Sequence, residues 1–434
     1  MCIIYINIAK DTLNHIKWAD TMEKKVLIMG AGTVGSRDAD VLLSLGIPVI
    51  LCKYDAAEDD IKTRELKAVI GRHKKELIEV RAARGSNIEE RIEHLNQHLG
   101  TCAGSIDDID FSKISLAIDC TDKVEGRNYD EIYKKHSLSF ALNGGAEGKF
   151  VKNLHFASVP NSIIQERLNE YKTQNAKIVS CNTHALTTLI GILKGVLGKG
   201  DKFRDHFRDP IMVDFLRRHE DPNKGKKAPK YVTIEHKRYH AEEVEDLHPE
   251  LRNWFVNEEE LDPKLYSTGL EGLVSSKSKW PTEYFHTLLV TFDFKDLISN
   301  SLLEDIRLKI HSYPRAILSE KDISHEKTIK AAEWARIGDG DIPFPVYMVE
   351  RFGRHHLRVY GLTPQRGIVA PSTADYTLLR TGLANDVGTW EETFNYVNEN
   401  AKYRNETFLH IKNSIQYNLK NYETIKESFK DSKQ

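Results

Sequence analysis

The sequence predicts an α/β protein in two parts: a doubly wound parallel sheet first, then an α+β domain with a mixed or antiparallel sheet. Three observations carry this. Lys25-Val26-Leu27-Ile28-Met29 is an apolar run that ends in Gly30-Ala31-Gly32-Thr33-Val34-Gly35 and leads into a helical pattern. Further short apolar runs alternate with charged, helical stretches, as in βαβ units. Later, Phe285 to Phe294 alternates between apolar and polar, the period of a half-buried strand.

Each element follows from its neighbours. Val41, Leu42 and Leu45 mark the first helix, and Gly46 stops it. Val49-Ile50-Leu51-Cys52 is the second strand, closing a βαβ unit of about the usual thirty residues. Ile114 to Asp119 and Leu138 to Leu142 read as further strands with a charged helix between them. Leu186, Leu189, Ile190, Leu193, Val196 and Leu197 recur at one-face spacing, so a helix begins near Cys181. Charged residues crowd positions 202–260, and Gly269 to Ser278 reads as a loop. Phe408, Ile411, Ile415 and Leu419 predict a surface helix and a frayed tail. The expected division is an N-terminal extension (1–21), the first domain (22–179) and a second domain (180–368). A helix returning to the first domain (369–388) and a C-terminal helical extension (389–434) complete it.

Composition narrows the class. The 434 residues are 40% hydrophobic and 29% charged, enough for two cores and ordinary for a soluble, cytoplasmic protein. Sixty-two basic against 64 acidic side chains leave a charge of −2, which gives no nucleic-acid or membrane-surface signature. Five cysteines, Cys2, Cys52, Cys102, Cys120 and Cys181, are spread without a CxxC pair, so neither a disulfide framework nor a metal site is expected. Met1 to Ile8 is too short and lacks the basic start of a signal peptide.

Gly30-x-Gly32-x-x-Gly35 is weak alone, yet it follows a strand and opens a helix, the context a dinucleotide fold needs. The first glycine allows the tight turn, the second lets a pyrophosphate approach, and the third brings helix against strand. The phosphates then sit at the positive end of the helix that this turn opens. The first domain is therefore expected to be a Rossmann-type NAD(P)-binding domain. Where an NAD enzyme usually places an acid, this chain has Lys53, which favours a 2′-phosphate and NADP; nearby Asp55 leaves NAD open.

A lone cysteine is more often a small buried hydrophobe than a nucleophile. Cys181 differs in its neighbours: Val179-Ser180-Cys181-Asn182-Thr183 places it at a helix start, where amides and the helix dipole stabilise a thiolate. With a dinucleotide domain upstream, a thiol nucleophile has a hydride acceptor, which points to an aldehyde dehydrogenase working through a thioester.

Ser180-Cys181-Asn182-Thr183, about 150 residues after Gly-x-Gly-Thr-Val-Gly, resembles the archaeal-type (type II) glyceraldehyde-3-phosphate dehydrogenases. Ile118-Asp119-Cys120-Thr121, Asn143-Gly144-Gly145, Arg217-Arg218-x-x-Asp221-Pro222, Pro281-Thr282 with His286, and Pro314-Arg315 resemble that family's segments in the same order. The likeness is patchy and spans about residues 22 to 385. It implies a cytoplasmic homotetramer of glycolysis or gluconeogenesis that takes D-glyceraldehyde 3-phosphate and inorganic phosphate and uses NADP or NAD.

Carried over by position, the resemblance makes Cys181 the nucleophile and His286 the base. Cofactor contacts fall on Thr33, Val34, Gly145, Arg218 and Gln365, beside Gly30, Gly32, Gly35 and Lys53. Substrate contacts fall on Ser180, Asn182, Thr183, Tyr239, His240 and Arg217. Lys224, Lys226 and Lys227 offer further anion partners. The chain departs from the family at His184, at Tyr239 in place of a histidine, at Thr373 within Pro371-Ser372-Thr373, over the long stretch from Leu247 to Trp280, and in its final ~45 residues. Two other readings stay open: another thioester-forming dehydrogenase, such as a semialdehyde dehydrogenase, or a non-catalytic dinucleotide-binding protein.

Overall fold

The computed structural model describes residues 24–54, 61–85, 87–121, 125–143, 150–151, 154–208, 211–216, 233–234, 239–252, 276–277, 285–320, 322–335, 337, 341–382 and 389–431. The first sheet and its helices arise in chain order as β1 (Lys25–Met29), α1 (Thr33–Ser44), β2 (Val49–Lys53), α2 (Ile61–Arg72), β3 (Ile78–Ala82), α3 (Ile88–Leu99), β4 (Ile114–Asp119), β5 (Phe140–Leu142), β6 (His155–Phe156), α4 (Leu168–Thr173) and β7 (Ala176–Ile178). All seven strands run parallel in the order β3-β2-β1-β4-β5-β7-β6. Val26, Leu27, Ile28 and Met29 are at most 1% exposed, which is why a strand covered on both faces reads as an unbroken apolar run.

Register lines up the carboxyl ends that matter. Met29 sits opposite Cys52 on β2 and Asp119 on β4, and Asp119 sits opposite Leu142 on β5. The glycine turn, Lys53, Cys120-Thr121 and Asn143 therefore emerge along one edge. The strand order reverses between β2-β1 and β4, the switch point at which doubly wound sheets hold ligands.

The second part begins with α5 (Cys181–Leu197), followed by β8 (Met212–Leu216), α6 (Tyr239–Leu247), β9 (Phe285–Asp293), α7 (Asn300–Ser312), β10 (Ile317–Leu318), α8 (His325–Trp334), β11 (Val346–Phe352), β12 (His356–Pro364) and α9 (Ala370–Thr381). The sheet order is β10-β11-β12-β9-β8, antiparallel except for β10 with β11, so the sheet is mixed. Along β9, His286, Leu288, Val290 and Phe292 face the core while the residues between them are partly exposed. α9 is buried from Ala370 to Leu379 and packs on α1, α4 and β4, so it returns to the first sheet.

The last residues differ from the expected surface helix and frayed tail. They form α10 (Trp390–Asn400), a hairpin of β13 (Lys402–Tyr403) and β14 (Glu406–Thr407), α11 (Phe408–Lys420) and α12 (Tyr422–Asp431). Phe408, Ile411 and Ile415 are fully buried, and α11 packs on α8. Their spacing does mark a helix, but that stripe covers the second domain. Thr389 and Thr407 cap α10 and α11 by accepting from backbone amides three residues on, which fixes both starts. No helix among the described residues is long and apolar enough to cross a membrane.

Candidate functional site

Cys181 is the first residue of α5, and Ser180 is its N-cap, with a side chain that accepts from the Thr183 amide at 3.5 Å. Ser180 and Cys181 are partly exposed; Asn182 and Thr183 are buried. The Cys181 sulfur lies 3.6 Å from His286 Nδ1, and the same nitrogen lies 2.9 Å from Asn182 Oδ1. Nδ1 thus faces the Asn182 amide oxygen and the Cys181 sulfur together, the placement a base needs to exchange a proton with the thiol. Two elements far apart in sequence supply it: the first turn of α5 and the start of β9.

The glycine turn has the shape its spacing requires. Gly30 has φ +85°, and a Cβ there would sit 2.8 Å from Thr121 Cγ2. At Gly35 a Cβ would come within 2.5 Å of the Gly30 carbonyl oxygen, so helix and strand touch there. A Cβ on Gly32 would meet nothing nearer than 4.0 Å, and Gly32, Thr33 and Val34 are partly exposed, leaving this face of the turn open. No acidic residue occupies the first turn of α1, so its positive end is not screened by a side chain of its own. Lys53, 5% exposed, reaches back with Nζ 3.4 Å from the Ala31 carbonyl oxygen, placing its charge against this turn. These residues fit a dinucleotide: an open cradle of amides with a cation beside it. A cleft of about 770 Å³ opens beside Tyr54 and α3, lined by Asn87, Glu90, Arg91 and His94; Cys181 does not line it.

At the carboxyl ends of β4 and β5 lies a buried polar cluster that the sequence does not announce. Asp38, on α1, accepts from Asn143 Nδ2 at 2.7 Å and from the Cys120 thiol at 3.3 Å. Asn143 Nδ2 also donates to Thr373 Oγ1 at 2.8 Å. Burial pushes the Asp38 carboxyl up to about 7, with its three hydrogen bonds pulling the other way. Thr373 is therefore spent within the fold.

The other expected residues fall into three groups. Thr183 is fully buried, and its hydroxyl donates to Glu243 Oε2 at 2.5 Å, so it faces the protein interior rather than a substrate. His184 is also buried; its Nε2 lies 2.7 Å from Ser372 Oγ on α9, and burial, with nearby Arg315, lowers its pKa to about 3. This ring is a neutral tie between α5 and α9, not a partner of the thiol. Gln365 follows β12, whose Thr363 is paired with His286, and its buried Nε2 has no hydrogen-bond partner among the described residues. Such an orphaned donor fits a polar ligand group. Gly145, Arg217, Arg218, Asp55 and the three lysines near 225 lie outside the described residues. Tyr239 and His240 belong to the first turn of α6, and their side chains lie outside the description.

Sequence reasoning missed Glu243, Asp38 and a buried charge network. Arg37 of α1 pairs with Asp341 at 2.5 Å and Glu65 at 2.9 Å; Arg366 pairs with Glu65 at 3.0 Å, and Arg404 with Asp341 at 3.3 Å. Among the described residues no group of three or more His, Cys, Asp or Glu side chains is arranged to hold a metal.

No family model matches the chain, and no curated protein matches it in sequence. A solved structure does match its fold. The crystal structure of aspartate semialdehyde dehydrogenase II from Vibrio cholerae, complexed with ASA, aligns with a TM-score of 0.50 at 12% identity, over 83% of this chain and 98% of that one. At that identity the likeness is one of architecture: a Rossmann-like parallel sheet joined to a second domain with a mixed sheet.

Proposed function

We propose that this chain is a nicotinamide-dependent aldehyde dehydrogenase that forms a thioester on Cys181 and releases it to inorganic phosphate. The observation that carries the reading is the 3.6 Å approach of the Cys181 sulfur to His286 Nδ1 at the start of a buried helix. In this reading the sulfur adds to the carbonyl carbon of the aldehyde. His286 takes the thiol proton and passes it to the carbonyl oxygen, forming the hemithioacetal hydroxyl; the imidazole so freed then takes that hydroxyl proton as the thioester forms, while Asn182 holds the ring in place. A nicotinamide dinucleotide, when bound, supplies the hydride acceptor. Gly30, Gly32, Thr33, Val34 and Gly35 hold its pyrophosphate, Lys53 favours a 2′-phosphate, and Gln365 offers a free donor. Phosphate then attacks the thioester carbon, giving an acyl phosphate and restoring the thiol. Residues 22–179 form the cofactor domain and 180–368 the catalytic domain, with 369–388 returning to the first and 389–434 as an extension.

The resemblance in motif supports D-glyceraldehyde 3-phosphate as substrate. A second reading, favoured by the fold of the Vibrio cholerae enzyme, is a semialdehyde such as aspartate semialdehyde. One assay separates them: reduction of NADP and NAD with each aldehyde, with and without phosphate or arsenate, in the wild type and in Cys181→Ser. Arsenate-dependent turnover of the triose phosphate, lost in the variant, supports the first. Turnover of the semialdehyde alone supports the second. Full activity in Cys181→Ser rejects the thioester account.

A further inference from the structure

The first turn of the nucleophile helix is gripped by a carboxylate from another element. Glu243, in α6, is 1% exposed, and its two oxygens are divided. Oε2 accepts from Thr183 Oγ1 at 2.5 Å, and Oε1 pairs with Lys177 Nζ at 2.7 Å. Lys177 lies on β7, just before the nucleophile, and Thr183 lies just after it. Thr183 Oγ1 is in turn 3.2 Å from Ser180 Oγ, the N-cap. Lys177, Glu243, Thr183 and Ser180 thus form a chain that spans Cys181 from both sides.

A buried carboxylate is expensive unless it is paired, and here the hydrogen-bond partner and the ion-pair partner both flank the nucleophile. α6 itself is anchored: Asp246 accepts from Arg167 Nη1 at 2.7 Å and from the His155 amide at 2.8 Å. The grip is therefore fixed to the first sheet, through β6 and the segment before α4.

We propose that Glu243 is a positioning residue: its hydrogen bond from Thr183 sets the first turn of α5 so that Cys181 and Asn182 both meet His286. The same helix carries Tyr239 and His240 four and three residues earlier. On the reading of the function above, α6 ties the substrate positions to the nucleophile's seat.

The test measures two things: the rate of iodoacetamide alkylation at Cys181 against pH, followed by mass spectrometry of its peptide, and kcat and KM for the aldehyde. Thr183→Val removes the donor and keeps the anion, and Thr183→Ser restores the hydroxyl. Glu243→Ala removes the acceptor, and Glu243→Gln keeps an acceptor without the charge. Thr183→Val and Glu243→Ala should lower kcat and the neutral-pH alkylation rate about tenfold or more, with cofactor KM within about twofold. In Thr183→Val the alkylation inflection should move up toward the free thiol value of about 8.5. Thr183→Ser and Glu243→Gln should recover most of both. A folded Thr183→Val with the wild-type inflection and kcat overturns the proposal, as does a Glu243→Gln no better than Glu243→Ala. If Glu243→Ala does not fold, the Thr183 pair decides. The alkylation arm needs no aldehyde, so it stands even if the proposed dehydrogenase activity is not found.

Discussion

His286 Nδ1 stands 3.6 Å from the Cys181 sulfur and 2.9 Å from Asn182 Oδ1, so one imidazole nitrogen serves two adjacent residues of the same helical turn. That geometry makes the thiol's reactivity depend on the ring. His286→Gln keeps bulk and hydrogen bonding but cannot carry the charge that stabilises a thiolate. Alkylation of Cys181 at pH 7 should fall about tenfold, and the difference should vanish above pH ~9.5, where a free thiol ionises unaided. An unchanged rate at pH 7 would show that the helix start alone activates the sulfur.

The glycine turn gives a sharper contrast because its glycines face different surroundings. At Gly35 a Cβ would collide with the Gly30 carbonyl at 2.5 Å, whereas at Gly32 it finds open space to 4.0 Å. Gly35→Ala should therefore destabilise the fold, by about 1–3 kcal/mol as overpacking does. Gly32→Ala should fold with nearly wild-type Tm but bind NADPH at least tenfold more weakly, because the methyl occupies the phosphate approach. Thermal melts and NADPH fluorescence titration read the two effects. Equal binding in Gly32→Ala would mean that this face does not carry the dinucleotide.

Three buried groups should bend the stability profile, Asp38 in one direction and two histidines in the other. Asp38 stays protonated in the fold up to about pH 7, against an ordinary value of 3.8, so between those values the folded state binds more protons and stability falls as pH rises. His184 and His248 stay neutral in the fold down to about 3, against 6.5, so their contribution is lost as pH falls below about 6.5. Asp38→Asn leaves an oxygen to accept from Asn143 and Cys120. Its urea midpoint relative to wild type should rise from pH 4 to pH 7 and then level off. A difference independent of pH would place Asp38 outside this account.

What the sequence made legible was whatever has a period or a run. β1, β2 and β4 are mostly apolar segments, α5 carries apolar residues at helical spacing, and β9 puts His286 on the same side as Leu288, Val290 and Phe292. The helix start marked Cys181 from the residues alone, but His286 was within reach only through the motif resemblance, since a histidine on an apolar strand face otherwise reads as core. Glu243 was out of reach, because it sits in a run of acids that reads as a solvated helix face, and only packing against α5 and β7 reveals it. Asp38 was hidden because Ser36-Arg37-Asp38 on α1 reads as a solvated polar face, although all three are buried. α9 lacks a one-sided stripe because it is covered all round, with Ser372, Thr373 and Asp375 buried among its apolar residues. Asp375 is held there by Arg315, whose Nη2 lies 3.1 Å away. The hairpin of β11 and β12 turns at Gly353, which has φ +72°; β12 alternates at its start but β11, from Val346 to Phe352, does not, so the pair was not legible in the sequence.

The C-terminal hairpin meets α1 by way of one turn. β13 and β14 are joined by Arg404 at φ +53° and Asn405 at φ +74°, the pair of left-handed residues a two-residue hairpin requires. Asparagine suits that conformation; arginine does not, and its contacts hold it there. Its amide donates to Asp40 Oδ2 at 3.0 Å, and its guanidinium donates to the Ile337 carbonyl at 2.7 Å and pairs with Asp341 at 3.3 Å. Asp341 is buried, and Arg37 and Arg404 together hold its carboxyl below the usual range against the cost of burial. Arg404→Ala keeps the unfavourable backbone and removes one of these cations, so it should cost about 1–3 kcal/mol, less than full loss of a buried pair because Arg37 remains. Arg404→Gly also removes the cation but relieves the turn, and should recover about 1 kcal/mol of that loss. Urea unfolding of the two variants gives the comparison. If glycine proves no better than alanine, the turn is not strained; if neither variant loses stability, the arginine's buried partners do not hold the extension in place.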